Sequence, residues 1–360
     1  INSPSDDPAG AGQVVGLRAQ ESCLAAWMEN CAAATDMLSC IDSSLQNAAE
    51  MVTSAMELAE QASTETYTLV NVRSMAIEAR QLAESLFSEV NAELGDNALF
   101  AGNDLSGDAY MQALGVTVMD GALDAADVVA VTGEADTAVW LEFDTGGVVG
   151  TDALDYHFST DGGVTWSNAT LAVGDTAVDC GDCSLELAPG TMVTAADGEG
   201  EGPGVLIRET YAYTGSSRAL SLDVAENNAA QATLVGSEVF GGLDATGRAY
   251  GEPNLFEALA DLSAYLDIGD SDGAAECLER LRGCQQDLGM HEAMVGAFMT
   301  RVNTMQASQG VMQEQAVSGI SRREDADATQ LAMELEQAEY VYQAVLSSTK
   351  QIMSLNLTSI

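Results

Sequence analysis

A three-and-four spacing of apolar residues dominates both ends of this chain. Counted from Ala328, the positions Leu331, Leu335, Ala338, Tyr342, Val345, Thr349 and Ile352 fall on one side of an α-helix. Only a long helix in a coiled-coil-like contact needs such a seam. Near the other end the same spacing runs from Leu17 through Leu24, Trp27, Cys31, Ala34, Leu38, Ile41, Leu45, Ala48, Val52, Ala55 and Ala59 to Ala62, interrupted at Gln20. A third seam passes through Cys277, Leu281, Cys284, Leu288, His291, Val295, Phe298, Val302, Met305, Gln309, Met312 and Ala316. Each seam requires a partner, so the two ends are expected to lie together as an antiparallel helical bundle. A fully buried Leu or Ile on such a seam contributes about 1.5–3 kcal/mol, enough to hold the pairing without a cofactor.

Charge narrows the partners. The 360 residues carry 56 acidic and 12 basic side chains, a formal net charge of −44, and Lys350 is the single lysine. A phosphate backbone would be repelled unless the arginines clustered, and they are spread from Arg18 to Arg323, so nucleic acid is excluded. Such acidity serves solubility or a saline habitat before specific binding. No apolar run reaches the roughly 18 residues that cross a membrane. The chain opens Ile1-Asn2-Ser3-Pro4-Ser5-Asp6-Asp7-Pro8, with neither an initiator Met nor the basic start of a signal peptide, and reads as a fragment. Seven scattered cysteines do not make a disulfide framework.

Taken in order, Ser5 or Asp6 is the expected N-cap of a first long helix, with Pro8 in its first turn. That helix should reach about Ser63, with a break near Ala34 to Asp36. Leu69, Val72, Ala76, Ala79, Ala83, Leu86 and Val90 mark a second helix to about Glu93, ended by Gly95-Asp96-Asn97. From about Leu99 to Gly251 the texture changes to Gly, Thr, Val and Asp with short alternating segments such as Val139-Trp140-Leu141-Glu142-Phe143 and Val205-Leu206-Ile207-Arg208, the pattern of an all-β insertion. Gly146 to Gly150 and the acidic Gly198 to Gly204 read as loops, the second mobile. Asn254 caps a helix from Leu255 to Leu266, and Asp267 to Gly273 is a turn before the third seam. The fold class is therefore α+β: a helical rod from both chain ends with an inserted, outward β domain. The expected division is 1–101, the first half of the rod; 102–251, the β insertion; 252–320, the second half of the rod; and 321–360, a terminal heptad helix.

Few residues offer chemistry. Ser159, Asp161, Gly163, Thr165 and Trp166 fit the S-x-D-x-G-x-T-W Asp-box pattern of sialidase-like propellers. There it is a structural hairpin: the Asp caps turn amides, glycines supply positive φ, and the Trp packs beneath. One copy cannot build a propeller, and no arginine cluster accompanies it to make a glycosidase. Cys180 and Cys183 form a lone C-x-x-C, without the second pair of a zinc site or the βαβ context of a redox motif, and read as a local disulfide or two ordinary thiols. Cys31, Cys277 and Cys284 lie on seams as small apolar side chains, whereas Cys23 and Cys40 lie off them. Asp270-Ser271-Asp272-Gly273 with Glu279 echoes a calcium loop, but Ile268 stands at the first ligand position and the residues make an ordinary acidic helix start. His157 in a strand and His291 on a seam have no evident nucleophile or carboxylate partner, and His291 and Gln309 read as register-fixing polar seam residues. No catalytic, cofactor-binding or metal-ligating residue is assigned.

Three stretches carry a resemblance. Asn2-Ser3-Pro4-Ser5-Asp6-Asp7-Pro8-Ala9 is similar to the motif that opens the first long helix of bacterial flagellar axial proteins of the flagellin superfamily. Leu99-Phe100-Ala101-Gly102 resembles the point where such chains turn outward, and Glu324-Asp325-Ala326-Asp327 resembles the entry to their terminal helix. Within the superfamily, Pro4 and Pro8, Leu335-Glu336-Gln337, Gln343-Ala344-Val345-Leu346 and the ending Ser354-Leu355-Asn356-Leu357 are more similar to the hook-filament junction family, hook-associated protein 3, than to filament flagellins. The resemblance implies a non-enzymatic subunit exported unfolded through the flagellar secretion channel with the help of a cytoplasmic chaperone. It would assemble outside the cell among another hook-associated protein, flagellin and its own copies. It also implies an N-terminal segment, not in this sequence, to pair with Glu324 to Ile352. Filament flagellin is the alternative within the superfamily, and a surface protein with a carbohydrate-binding Asp-box domain is the alternative outside it.

Overall fold

The computed structural model describes residues 8–64, 67–95, 97–119, 121–196, 198, 200, 202–324 and 328–357, with the side chains of Pro8, Glu324, Ala328 to Leu331, Glu334 and Ile352 to Leu357 left aside. The Asn2 to Asp7 motif with its Ser5 or Asp6 cap, and Asp325 to Asp327, lie outside the described residues. Two helices come first, α1 (Pro8–Ala62) and α2 (Leu69–Val90). Among the described residues fourteen strands follow: β1 (Glu93–Leu94), β2 (Asn97–Ala98), β3 (Tyr110–Val118), β4 (Val128–Gly133), β5 (Val139–Phe143), β6 (Gly147–Val148), β7 (Leu154–Ser159), β8 (Ser167–Leu171), β9 (Ala177–Asp179), β10 (Cys183–Leu187), β11 (Met192–Val193), β12 (Gly204–Tyr213), β13 (Ser221–Ala225) and β14 (Asn228–Gln231). A short α3 (Gly236–Val239) precedes α4 (Leu255–Ile268), α5 (Ser271–Glu324) and α6 (Ala328–Leu357). The chain is thus α+β, with β-sheet between a long N-terminal helix and C-terminal helices.

Three helix boundaries differ from the sequence reading. No break interrupts α1 at Ala34 to Asp36, where Ala34 and Leu38 are fully buried on an unbroken seam. Helix α2 stops at Val90, and Asn91 both caps it and holds the start of β3 through reciprocal bonds with the Tyr110 backbone at 2.9 and 3.0 Å. Gly95, at φ +68°, therefore turns the β1–β2 hairpin instead of closing the helix. The expected turn at Asp267 to Gly273 shrinks to two residues: Gly269 ends α4 in the left-handed region, and Asp270 Oδ1 accepts the Asp272 and Gly273 amides to open α5.

The chain forms two compact units. In the one made of residues 1–33, 223–229 and 301–360, α1 and α5 run antiparallel: Arg323 Nε donates to Gln13 Oε1 at 2.9 Å, and the thiol of Cys31 donates to Gln309 Oε1 at 3.7 Å. The β13–β14 turn sits on the pair. Asn30 Nδ2 donates to Asp223 O at 2.7 Å, and Arg301 Nη2 to Asn228 Oδ1 at 2.5 Å.

The other unit, 34–222 and 230–300, holds two antiparallel sheets, ordered β3-β12-β5-β7-β8 and β4-β10-β9. Strand β3 lies beside β4 and β8 beside β9, so the sheets enclose one core of Val139, Leu141, Phe143, Leu154, Tyr156, Leu171, Val178, Leu185, Val205 and Ile207. Alternation explains it: on β5 the odd residues point inward while Trp140 and Glu142 face the opposite side. Helix α4 packs on both α2 and β12, where Leu206 meets Ala264.

Candidate functional site

The helical seams come first. Leu38, Ile41, Leu45, Val52, Leu281, Leu288, Val295 and Val302 are buried, with Trp27 and Phe298 half-buried at the margins. Gln309, the polar residue of its seam, is also buried. Its amide N–H donates to Val224 O while its Oε1 accepts from Cys31, so one side chain ties α1, α5 and β13. His291, expected to lack a carboxylate partner, lies 3.4 Å from Asp287 one turn back on α5.

Helix α6 differs. Ala338 is exposed, as are Leu335, Tyr342 and Val345, at 64, 67 and 56 %. Tyr340, off the seam, is 76 % exposed. Leu331 and Ile352 fall within the helix, their side chains outside the described set. Solvent therefore bathes an apolar stripe of a kind that soluble proteins cover or use for contact.

The Asp-box residues build the turn between β7 and β8. Asp161 accepts from the amides of Val164 at 3.0 Å and Thr165 at 2.8 Å, from the Thr165 hydroxyl at 2.6 Å and from the Ser159 hydroxyl at 2.8 Å. Burial pushes its carboxyl up, but these bonds outweigh it and hold the group at about 2. Gly162 and Gly163 stand at φ +71° and +87°, and Trp166 tilts against Trp140 with ring centroids 5.2 Å apart.

One arginine of α2 grips this turn and a second anchors the segments beside it, a connection that sequence reasoning missed. Arg73 donates to Gly162 O at 2.6 Å and to Asp267 O at 3.1 Å. Arg80 meets both Asp267 carboxylate oxygens at 2.9 Å and Asp136 O at 2.7 Å. A Cβ on Gly162 would stand 2.5 Å from Asp267 O, so only glycine lets the turn approach α4 this closely.

The structure also corrects the reading of His157. Cross-strand pairing of β5 with β7 puts Glu142 opposite it, with Nε2 2.9 Å from Glu142 Oε2 and Nδ1 2.7 Å from Asp144 Oδ1. Glu142 is fully buried and further accepts the Gly200 amide at 2.8 Å, which ties down the acidic loop before β12. Trp166 closes the cluster edge-on to the imidazole at 4.8 Å. His157 and Glu142 are buried within this face.

Beneath α4 lies a second buried network. Arg208 bonds Glu257 at 2.9 Å and Asp261 at 2.6 Å, Thr210 donates to Glu257 at 2.6 Å, and Arg280 pairs with Asp261. Burial raises the Asp261 carboxyl, and the two arginines overcome it to leave a net lowering. Every charge there is answered by another, the arrangement of a structural clamp. Among the described residues no group of three or more His, Cys, Asp or Glu is placed to hold a metal, and no helix is long and apolar enough to cross a membrane.

Comparison with known proteins adds to this geometry. Residues 1–104 match the bacterial flagellin N-terminal helical region. No curated protein matches the chain in sequence. Among solved structures, a candidate flagellar hook-associated protein from Vibrio parahaemolyticus is 13% identical with a TM-score of 0.54, over 89% of this chain and 99% of that one. Bacillus cereus FlgL is 12% identical over 86% and 99% with a TM-score of 0.47, and the flagellar junction protein FlgL from Legionella pneumophila 13% over 87% and 100% with 0.36. The fold likeness rests on the Vibrio structure; the flagellin-type region rests on sequence.

Proposed function

We propose that this chain is a structural subunit of the bacterial flagellum that joins hook to filament, a hook-associated junction protein and not an enzyme. The flagellin-type N-terminal region carries the flagellar part of the reading, and the junction-like stretches at Pro4, Pro8 and Leu335-Glu336-Gln337 favour the junction subunit. The exposed seam of α6 supports it, since a helix with Leu335, Tyr342 and Val345 in water is suited to burial against a neighbouring subunit. In this mechanism the terminal helix gains its packing only at an acceptor surface, which restricts growth to the assembling tip. Its neighbours would be another hook-associated protein, flagellin and copies of itself, with a cytoplasmic chaperone before export to the cell exterior. The residue division given above, a helical part from both chain ends and a β insertion, is proposed as its domain plan.

Filament flagellin is the second reading, favoured by the family model itself, which is that of flagellin. Electron microscopy of the full gene product separates them. Junction subunits stay monomeric when seeded alone and add to isolated hook tips that carry the preceding junction protein. Long filaments grown from the purified protein alone would make it a flagellin. Glycan capture by the chain, with neither behaviour, would return the Asp-box domain to the carbohydrate-binding class.

A further inference from the structure

Cys180 and Cys183 face one another at the closed end of the β9–β10 hairpin. Two exposed residues, Gly181 at φ +89° and Asp182, turn the chain between them, and the Cys180 amide donates to Cys183 O at 2.9 Å. Opposed, hydrogen-bonded residues of an antiparallel pair have Cα atoms about 5.5 Å apart, inside the range of about 4.4–6.8 Å that a disulfide spans. Residues directly opposite share a face, and both side chains join the same apolar core, beside Val178 and Leu185. Their thiols touch. The interaction of the two thiols, ahead of burial, raises Cys180 and lowers Cys183, which marks Cys183 as the better thiolate.

The remaining cysteines are not placed this way along their helices. Cys277 and Cys284 are a full heptad apart on α5, about 10 Å at a rise of 1.5 Å per residue, and Cys23, Cys31 and Cys40 are separated still further along α1. Cα atoms more than about 7 Å apart cannot be bridged without backbone movement.

We propose that Cys180 and Cys183 form a disulfide as the chain folds in the presence of a small disulfide oxidant, before the hairpin closes over them, so that this C-x-x-C is a modification site that fastens the β9–β10 tip. The Cys183 thiolate attacks one sulfur of glutathione disulfide, forming a mixed disulfide and expelling one glutathione thiolate. The Cys180 sulfur then attacks Cys183 Sγ, gives up its proton and expels the second glutathione. Two protein thiols are oxidised, one glutathione disulfide is reduced to two thiols, and the cysteine protons end on those products. The chemistry stands without the flagellar reading, which supplies only an oxidising compartment in which it would occur.

The test is peptide mapping without reduction after the full chain is unfolded and refolded in a glutathione couple, then alkylated. The expected product is one peptide carrying both residues and lacking two hydrogens, with alkylatable thiols falling by two from the total of seven. Cys180→Ser should leave Cys183 carrying a single glutathione. Full alkylation of both residues in the wild type, or either one bonded to a different cysteine or left as a stable glutathione adduct, overturns the assignment. None of these outcomes depends on whether the protein assembles on hooks.

Discussion

Helices α4 and α6 look alike as apolar sequence and behave oppositely as structure. On α4, from Leu255 to Leu266, all but Tyr265 are buried, Glu257 and Asp261 among them, because Arg208 and Arg280 meet the carboxylates and the flanking aliphatics meet β12 and α2. On α6, Leu335, Tyr342 and Val345 stand in solvent although no charge has to be neutralised along their stripe. The lesson is that an apolar seam announces a contact without saying whose. A helix that serves its own fold is recognisable by the polar groups it manages to satisfy, whereas one kept for another molecule leaves its apolar groups uncovered.

Breaking the first side of that comparison should have the largest effect. Arg208→Ala leaves Glu257 buried with no cation and Asp261 with Arg280 alone, and should cost about 3–5 kcal/mol, read as a lower urea midpoint. An unchanged midpoint would show that α4 is held by its apolar contacts alone. Next is the helical seam: Leu45→Ala, at a fully buried position, should cost about 2–5 kcal/mol through transfer and cavity terms. Asp161→Ala should cost less, about 1–3 kcal/mol for a charged acceptor lost from an exposed turn, and should loosen the Trp140–Trp166 contact seen in near-ultraviolet circular dichroism. Its pH dependence has a definite sign. The folded carboxyl lies at about 2 against an ordinary 3.8, so its contribution is complete above about 3.8 and disappears as pH falls toward 2. Wild type should therefore lose an acid-limb increment that Asp161→Asn lacks. The smallest change in stability belongs to α6: Leu335→Ser with Tyr342→Ser should stay within about 0.5 kcal/mol of wild type, yet abolish addition to hook tips. A large stability loss there would mean that the chain itself covers this stripe.

The helical frame is legible because its signal is local. A period of 3.6 needs only neighbours within a few turns, so α1 and α5 can be traced from their seams. The break expected near Ala34 to Asp36 does not occur: Thr35 and Asp36 are weak helix formers, but Ala34 and Leu38 on either side are fully buried and packing overrides propensity. His291 and Asp287 were within reach of the same local logic, since i and i+4 share a helix face. The cluster around His157 was not. Its partnership with Glu142 depends on the register of β5 against β7, and composition does not encode which residue lands opposite. The Asp-box follows the same division. Its internal bonds span at most four positions, but the arginine that grips Gly162 sits 89 residues away on another element.

Gln309 gives the α1–α5 pair a mechanical property. An apolar heptad seam is nearly the same after a slip of seven residues, so two helices joined by Leu and Ala alone resist sideways separation better than sliding. Gln309 makes a buried rung unlike the apolar ones: displaced by a heptad, its amide would leave both Cys31 and Val224 and become a buried, unanswered dipole. A single side chain thus serves as a shear pin, setting the load at which the two helices would begin to creep along one another.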